Sequence, residues 1–344
     1  MERNLQDAVV MVTGASSGIG RAIARAFGAQ GARVGLMART REALENAAEE
    51  VRLAGGQALV LPLDVADAEA VEAAADEAIR QWGRIDIWIN DAMVSVLSPV
   101  QRMEAREYRR VTEVTYLGTV HGTLAALRRM LPRDEGHIIQ IGSALAYRSI
   151  PLQSAYCASK AAIRAFTDSL RSELLHDGSR VRISMPQLPA VNTPQFDVVR
   201  SRLPKQAQPV PPIYQPEVIA DAVVYLSRHP TRELWIGWST AKALLGQKLL
   251  PGVLDRYLAR KGYSGQQTDA PRPQRPDNVD TPIPGDRGAH GRFDDRARTR
   301  SSQLWLREHR ATLGAVAGAV VAAAGLSLAR RRGKPAPFAF SSPG

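Results

Sequence analysis

Val9-Val10-Met11-Val12 is an unbroken apolar run ending at Thr13, and Gly14, Gly18 and Gly20 then punctuate the passage into a helical pattern. Few folds use a buried strand that feeds a helix through such a turn. Gly14 lets the chain turn sharply off the strand. Gly18 removes a Cβ where backbone must approach a ligand, and Gly20 lets the helix lie close to the sheet. The helix start offers free N–H groups and a partial positive charge, which suits a pyrophosphate. Ser16 and Ser17 add hydroxyl donors, and Ile19 follows in the first helical turn. The spacing is G-x-x-x-G-x-G, so a plain tight turn stays open as the alternative. Its place in the first strand–helix unit is what points to a dinucleotide.

Strand-like runs recur at 33–37, 58–62, 85–89, 137–141 and 180–185, with helical patterns at 18–30, 41–53, 68–82, 107–130 and 155–175. A helix over 216–229 and a strand near 233–236 bring the count to about seven strands. This alternation predicts an α/β fold: a Rossmann-type doubly wound parallel sheet with helices on both faces, spanning 1–240. The second strand runs out into Ala38-Arg39 where an acidic residue would hold an adenosine ribose. A guanidinium there can pair a 2′-phosphate, so the expected cofactor is NADP(H) in preference to NAD(H). A surface arginine is the plainer alternative.

Seven prolines fall between Pro189 and Pro216 and interrupt the pattern, which reads as a lid or binding loop, or else as a stiffened surface loop. Residues 241–263 form an amphipathic helical extension. Residues 264–303, rich in Pro, Gly, Asp and Arg, are expected to be a disordered linker. A basic tail over 304–344 contains 311–329, nineteen residues without a charge, followed by Arg330, Arg331 and Arg332. At ~1.5 Å per residue they reach about 28 Å, so membrane contact through 311–329 is weighed against a peripheral or partner-binding helix.

Three residues are candidates for chemistry: Ser143, just after the 137–141 strand, and Tyr156 with Lys160, four apart on one helix face. An unperturbed phenol, with a pKa near ~10, is a poor acid–base group at neutral pH. A neighbouring ammonium and a nicotinamide's charge are expected to favour the phenolate, making Tyr156 a general acid–base. Lys160 can also hold ribose hydroxyls, and Ser143 can donate to a substrate oxygen on which negative charge develops.

Taken together, Thr13–Gly20, Asp64-Val65, Asn90-Asp91-Ala92, Ser143 and Tyr156-Cys157-Ala158-Ser159-Lys160 resemble the short-chain dehydrogenase/reductase family over roughly residues 5–240. The resemblance implies an NAD(P)-dependent oxidoreductase interconverting a carbonyl and an alcohol. It implies that Asp64 and Val65 contact adenine, that Asn90 borders the adenosine side with Ala92, and that Thr193 faces the nicotinamide carboxamide. It also implies a homodimer or homotetramer through the helices at 107–130 and 155–175. Three positions depart from the family pattern: Met93 replaces a glycine, Thr115 replaces an asparagine that anchors a proton-relay water, and Leu188-Pro189 replaces Pro-Gly. The Met93 and Thr115 positions motivate an alternative, a catalytically weak or inactive NADP-binding scaffold or sensor with a docking tail.

Leu145, Tyr147, Leu152, Phe196 and Tyr214 hint at an apolar substrate, or equally at core or dimer contacts. The net charge is +11, but 13 basic and 7 acidic residues follow Tyr263, so much of the excess is a tail property. No nucleic-acid-binding signature accompanies it, and no nucleic acid is expected as a partner. The single cysteine, Cys157, allows no internal disulfide and no metal spacing, so no metal is expected. Residues 1–7 lack an apolar leader, giving an expectation of a cytoplasmic protein, membrane-associated if the tail docks.

Overall fold

The computed structural model describes residues 4–310. Its seven-stranded sheet comprises β1 (Val9–Thr13), β2 (Arg33–Ala38), β3 (Gln57–Pro62), β4 (Ile87–Asn90), β5 (His137–Gln140), β6 (Arg182–Gln187) and β7 (Glu233–Trp235). All the pairings are parallel, and the spatial order is β7-β6-β5-β4-β1-β2-β3. The central strands read as continuous apolar runs because both of their faces are covered. Val12 lies between Leu36 of β2 and Ile89 of β4. The order reverses between β1 and β4, and a crevice opens there at the carboxyl ends of the strands.

The connecting helices are α1 (Gly18–Gly28), α2 (Arg41–Leu53), α3 (Ala68–Trp82), α4 (Ala105–Val111), α5 (Gly118–Met130), α6 (Ser154–His176) and α7 (Pro216–Arg228). Helix α1 packs against α2 and α7, while α3 packs against α5 and α4 against α6. Asp67 caps α3 by accepting from the Glu69 and Ala70 N–H groups, and Gly83 ends that helix with a left-handed backbone. The long helix expected over 107–130 is broken: a π-turn over Thr112–Leu117 separates α4 from α5.

After β7 the chain forms α8 (Trp238–Leu249) and α9 (Pro251–Lys261). The expectation of a disordered linker over 264–303 is overturned. Gln267–Pro271 pairs antiparallel with Lys205–Ala207, and Ala297–Arg298 pairs parallel with Ile213–Tyr214. Val279 is fully buried in the main core and Phe293 nearly so. Composition misleads here because two well-placed apolar side chains and many ion pairs hold the segment, rather than an apolar face of its own. The proline-rich insert is likewise built from short strands, Ala190–Val191, Arg200–Ser201, Lys205–Ala207 and Ile213–Tyr214, and one helical turn, Gln195–Val198. Residues 4–301 form one compact unit. The second unit begins at Ser302 with the helix Ser302–Glu308, in which Trp305 stacks on His309.

Among the described residues no helix is long and apolar enough to cross a membrane, and the expected 311–329 segment lies outside them. No cluster of metal-ligating side chains occurs among them either.

Candidate active site

The glycine turn lies at the crevice between β1 and β4. Gly14 has φ +73°, and a Cβ there would stand 2.9 Å from the Ala92 Cα. The turn and the segment after β4 therefore approach backbone to backbone. Thr13 ties them: its hydroxyl accepts from the N–H groups of Asp91 (2.9 Å) and Ala92 (3.1 Å). Gly18 has φ +60° and would carry a Cβ 3.3 Å from the Thr193 side chain. Gly20 stands behind the turn, where a Cβ would strike the Gly14 carbonyl, so it serves packing and does not line the groove.

A groove of about 200 Å³ runs from this turn along the ends of β2 and β3. Gly14, Ser16, Ser17, Gly18 and Ile19 form one end; Arg39, Asp64 and Val65 the other; Ala92 and Thr193 its walls. The shape and the donors fit a dinucleotide: glycines where a Cβ would fill the cradle, hydroxyls and a helix start at one end, a cation at the other. Arg39 donates to the backbone carbonyls of Asn278 (2.6 Å) and Asp280 (3.4 Å), and burial lowers its pKa. Burial works against the charge on Asp64, yet the Ala66 N–H and the Arg110 guanidinium outweigh it and hold the carboxyl below its usual range.

Asn90 is not at the groove. It is buried on β4, accepts from Trp88 Nε1 (2.9 Å) and donates to Gln140 (2.9 Å) and Thr123 (3.2 Å). The expectation that it borders the adenosine is corrected: its side chain is consumed in holding β4 to β5 and α5.

A second cavity of about 570 Å³ continues from the groove, sharing Ile19, Asp91, Met93, Thr193 and Gln195 with it. Ser143, Tyr156 and Lys160 all face this cavity. Ser143 follows β5; its N–H donates to Gln187 Oε1 (3.0 Å), and its hydroxyl accepts from the Leu145 N–H (3.1 Å). Tyr156 and Lys160 stand one turn apart on α6, with Nζ 5.7 Å from the phenol ring centre. Lys160 donates to the Ile141 carbonyl at 2.6 Å. Two elements thus converge: the end of β5 supplies Ser143 and a carbonyl anchor, and the first turns of α6 supply the phenol and the amine.

Electrostatically, burial dominates this site. Burial holds the Tyr156 phenol above its ordinary range, and the influence of the Ser143 hydroxyl only partly offsets that. The phenol is a proton donor here. Burial also lowers Lys160 to about 8, partly offset by the nearby negative charge of Asp91. Asp91 itself is pushed up to about 6 by burial, against the pull of Lys160 and the Gly20 N–H. Sequence reasoning passed over Asp91 as a working group: its acidity is visible in the sequence, but its place beside the phosphate turn, where a Cβ on Gly20 would stand 2.9 Å from its Oδ2, comes only with the fold.

Thr115 lies in the π-turn and is fully buried. Its hydroxyl accepts from the Val94 N–H (3.2 Å) and donates to the Val94 carbonyl (3.1 Å), which fixes the backbone beside Met93. Leu145 and Phe196 line the cavity as expected, with Ile150, Leu188, Val210, Leu254 and Leu258. Tyr147, Leu152 and Tyr214 do not. Tyr147 bonds Glu233, Leu152 sits in a small core with Leu97 and Leu203, and Tyr214 is buried against Gly237. Helices α8 and α9 supply much of the outer wall through Lys242, Ala243, Leu254, Tyr257 and Leu258.

The family model described as short chain dehydrogenase matches residues 8–203. The chain belongs to the short-chain dehydrogenase family. This short-chain dehydrogenase is 33% identical over 324 residues to an uncharacterized oxidoreductase, YxnA, of Bacillus subtilis, covering 93% of this chain and 89% of the relative. It is 34% identical to a fatty acyl-CoA reductase of Acinetobacter baylyi over 67% of this chain and 76% of that protein. Among solved structures it resembles a metagenomic short-chain oxidoreductase in complex with NADP, at 30% identity and a TM-score of 0.58, covering 68% of this chain and 98% of that one. An alcohol dehydrogenase of the archaeon Thermococcus sibiricus, complexed with 5-hydroxy-NADP, has the same TM-score at 27% identity, covering 67% and 95%. The protein is an NAD(P)-dependent oxidoreductase of this family with a Rossmann-type fold. The solved neighbours are matched almost end to end, yet about a third of this chain lies outside the match.

Proposed function

We propose that this short-chain dehydrogenase is NADPH-dependent and interconverts a carbonyl and an alcohol on an apolar substrate. The observation that carries the reading is the convergence of Ser143, Tyr156 and Lys160 on the larger cavity, which continues from the groove past Ile19, Asp91, Met93 and Thr193. Bound NADPH supplies a hydride. Ser143 and the Tyr156 hydroxyl face the place where a carbonyl oxygen gains charge, and both can donate to it. Tyr156 gives up its proton to that oxygen, and the Lys160 ammonium limits the cost of the phenolate left behind. The Ile141 carbonyl keeps Lys160 from swinging away.

The preference for NADPH rests on Arg39 at the end of β2, with no acidic residue there, and is in keeping with the NADP complexes among its neighbours. The apolar substrate rests on the lining of the larger cavity, and the fatty acyl-CoA reductase relative agrees with a long-chain aldehyde or ketone. The scaffold alternative is less favoured, since Thr115 and Met93 leave the three reacting groups together. We further propose a homodimer or homotetramer through α5 and α6.

Fluorescence titrations with both cofactors test the first point. NADPH is expected to bind more tightly than NADH, and Arg39→Ala to weaken NADPH about tenfold or more while leaving NADH nearly unchanged. Equal affinities in the unaltered chain contradict the preference. NADPH oxidation over a panel of aldehydes and ketones of increasing chain length tests the second. Rates that do not rise with chain length contradict an apolar substrate.

A further inference from the structure

The extension beyond the sheet crosses the groove. From Asp277 to Arg298 it forms a strap fixed at both sides of the crevice. On the adenosine side, Arg200 pairs with Asp277 (2.9 Å) and Asp280 (2.7 Å), the Asn278 N–H donates to the Val198 carbonyl (3.0 Å), and Val279 is buried. At the phosphate turn, Asp286 pairs with Arg21 of α1, and the Gly288 carbonyl accepts from the Gly18 N–H at 3.0 Å. Beyond it, the Phe293 N–H donates to Asn192 Oδ1 (3.1 Å) and the ring meets Phe196 edge-on at 6.3 Å. Between these anchors the strap itself lines the groove with Asn278, Pro282, Ile283, Gly285 and Arg287.

Arg287 stands out. It lies between Asp286 and Gly288, both of which are tied to the start of α1, and it lines the groove beside Ser16, Ser17 and Gly18. Its guanidinium makes no hydrogen bond or ion pair with any described residue. The strap carbonyl has taken the Gly18 N–H, one of the donors a phosphate would otherwise use. A cation is set beside it in exchange. At the other end, the carbonyls of Asn278 and Asp280 hold the Arg39 side chain over the groove. The similarity to YxnA runs through the strap, since a match over 93% of the chain leaves out fewer residues than the 46 that follow Arg298.

We propose that the strap is part of the cofactor site: Arg287 pairs with the dinucleotide's pyrophosphate, the strap closes over the groove, and cofactor exchange requires it to lift. This rests on the dinucleotide reading above. The two arginines divide the work: Arg287 attracts a group that both cofactors carry, Arg39 a group that only NADPH carries.

The test uses the full chain. Hydrogen exchange is followed with and without saturating NADPH, and both cofactors are titrated into the unaltered protein, Arg287→Ala and Arg287→Lys. Arg287 is exposed, so its substitution leaves the fold intact. Exchange across 277–298 is expected to slow when NADPH is added. Arg287→Ala should weaken NADPH and NADH alike, about tenfold, and Arg287→Lys should restore part of the loss. If the unaltered chain binds NADPH but the strap's exchange is unchanged and Arg287→Ala binds as before, the strap proposal is wrong and the cofactor reading stands. If the unaltered chain binds neither cofactor, the reading itself fails and the strap proposal falls with it.

Discussion

At the scale of single residues, the charge beside Tyr156 is set by a pair. Lys160 is buried at the larger cavity and Asp91 half-buried where the two cavities meet, and desolvation pulls each toward neutrality: the amine down to about 8, the carboxyl up to about 6. Each charge partly rescues the other. Lys160 therefore keeps its ammonium below about pH 8 and loses it as pH rises through that value. NADPH affinity is expected to fall over the same interval, because an ammonium donates more strongly to the cofactor than an amine. Asp91→Asn removes the charge that raises the lysine, so in that variant the fall should come at lower pH. Titrations across the neutral to alkaline range check this, and coincident profiles for the two proteins contradict it. The same depression has a stability consequence of defined sign. Between about 8 and the ordinary value of 10.5 the unfolded chain binds this proton more tightly, so folding stability from this group rises with pH there.

Among elements, what sequence makes legible follows how local the determining contacts are. The glycine turn, the end of β2 at Arg39 and the i,i+4 pair on α6 are set within a few residues, and their spacing gave them away. Asn90 carried the right neighbours but the wrong role, because its partners, Gln140 and Thr123, come from elements far along the chain. The strap was invisible for the same reason. Val279 and Phe293 are lone apolar residues in polar surroundings, and the strap that carries them gains meaning only against Arg200, Asn192 and Arg21, which lie 77, 101 and 265 positions from their strap partners. The π-turn was masked by a continuous helical pattern. From the end of that turn, through α5, to the residue just after it, Leu117, Leu124 and Leu131 recur every seven residues and are all exposed. That stripe motivates self-association. Leu124→Arg is expected to turn a dimer or tetramer into a monomer in sedimentation experiments. An unaltered chain that already sediments as a monomer contradicts the proposed pairing.

For the molecule as a whole, the sheet reversal between β1 and β4 creates one crevice, and the rest of the chain elaborates it. The phosphate turn closes one end of the groove and Arg39 the other. The insert after β6 and helices α8 and α9 raise the apolar walls of the larger cavity, and the strap crosses the groove beside it. The two spaces meet along Ile19, Asp91, Met93, Thr193 and Gln195, and Ser143, Tyr156 and Lys160 face the larger one, which makes a proton at the Tyr156 hydroxyl central. The most direct measurement compares Tyr156→Phe with the unaltered protein, in NADPH binding by fluorescence and in turnover of a long-chain aldehyde or ketone. The expected result is cofactor affinity close to unchanged and turnover lower by roughly 10²–10⁴-fold, the usual worth of a positioned acid–base group. A variant that binds NADPH normally and retains most of its turnover would show that the proton comes from elsewhere.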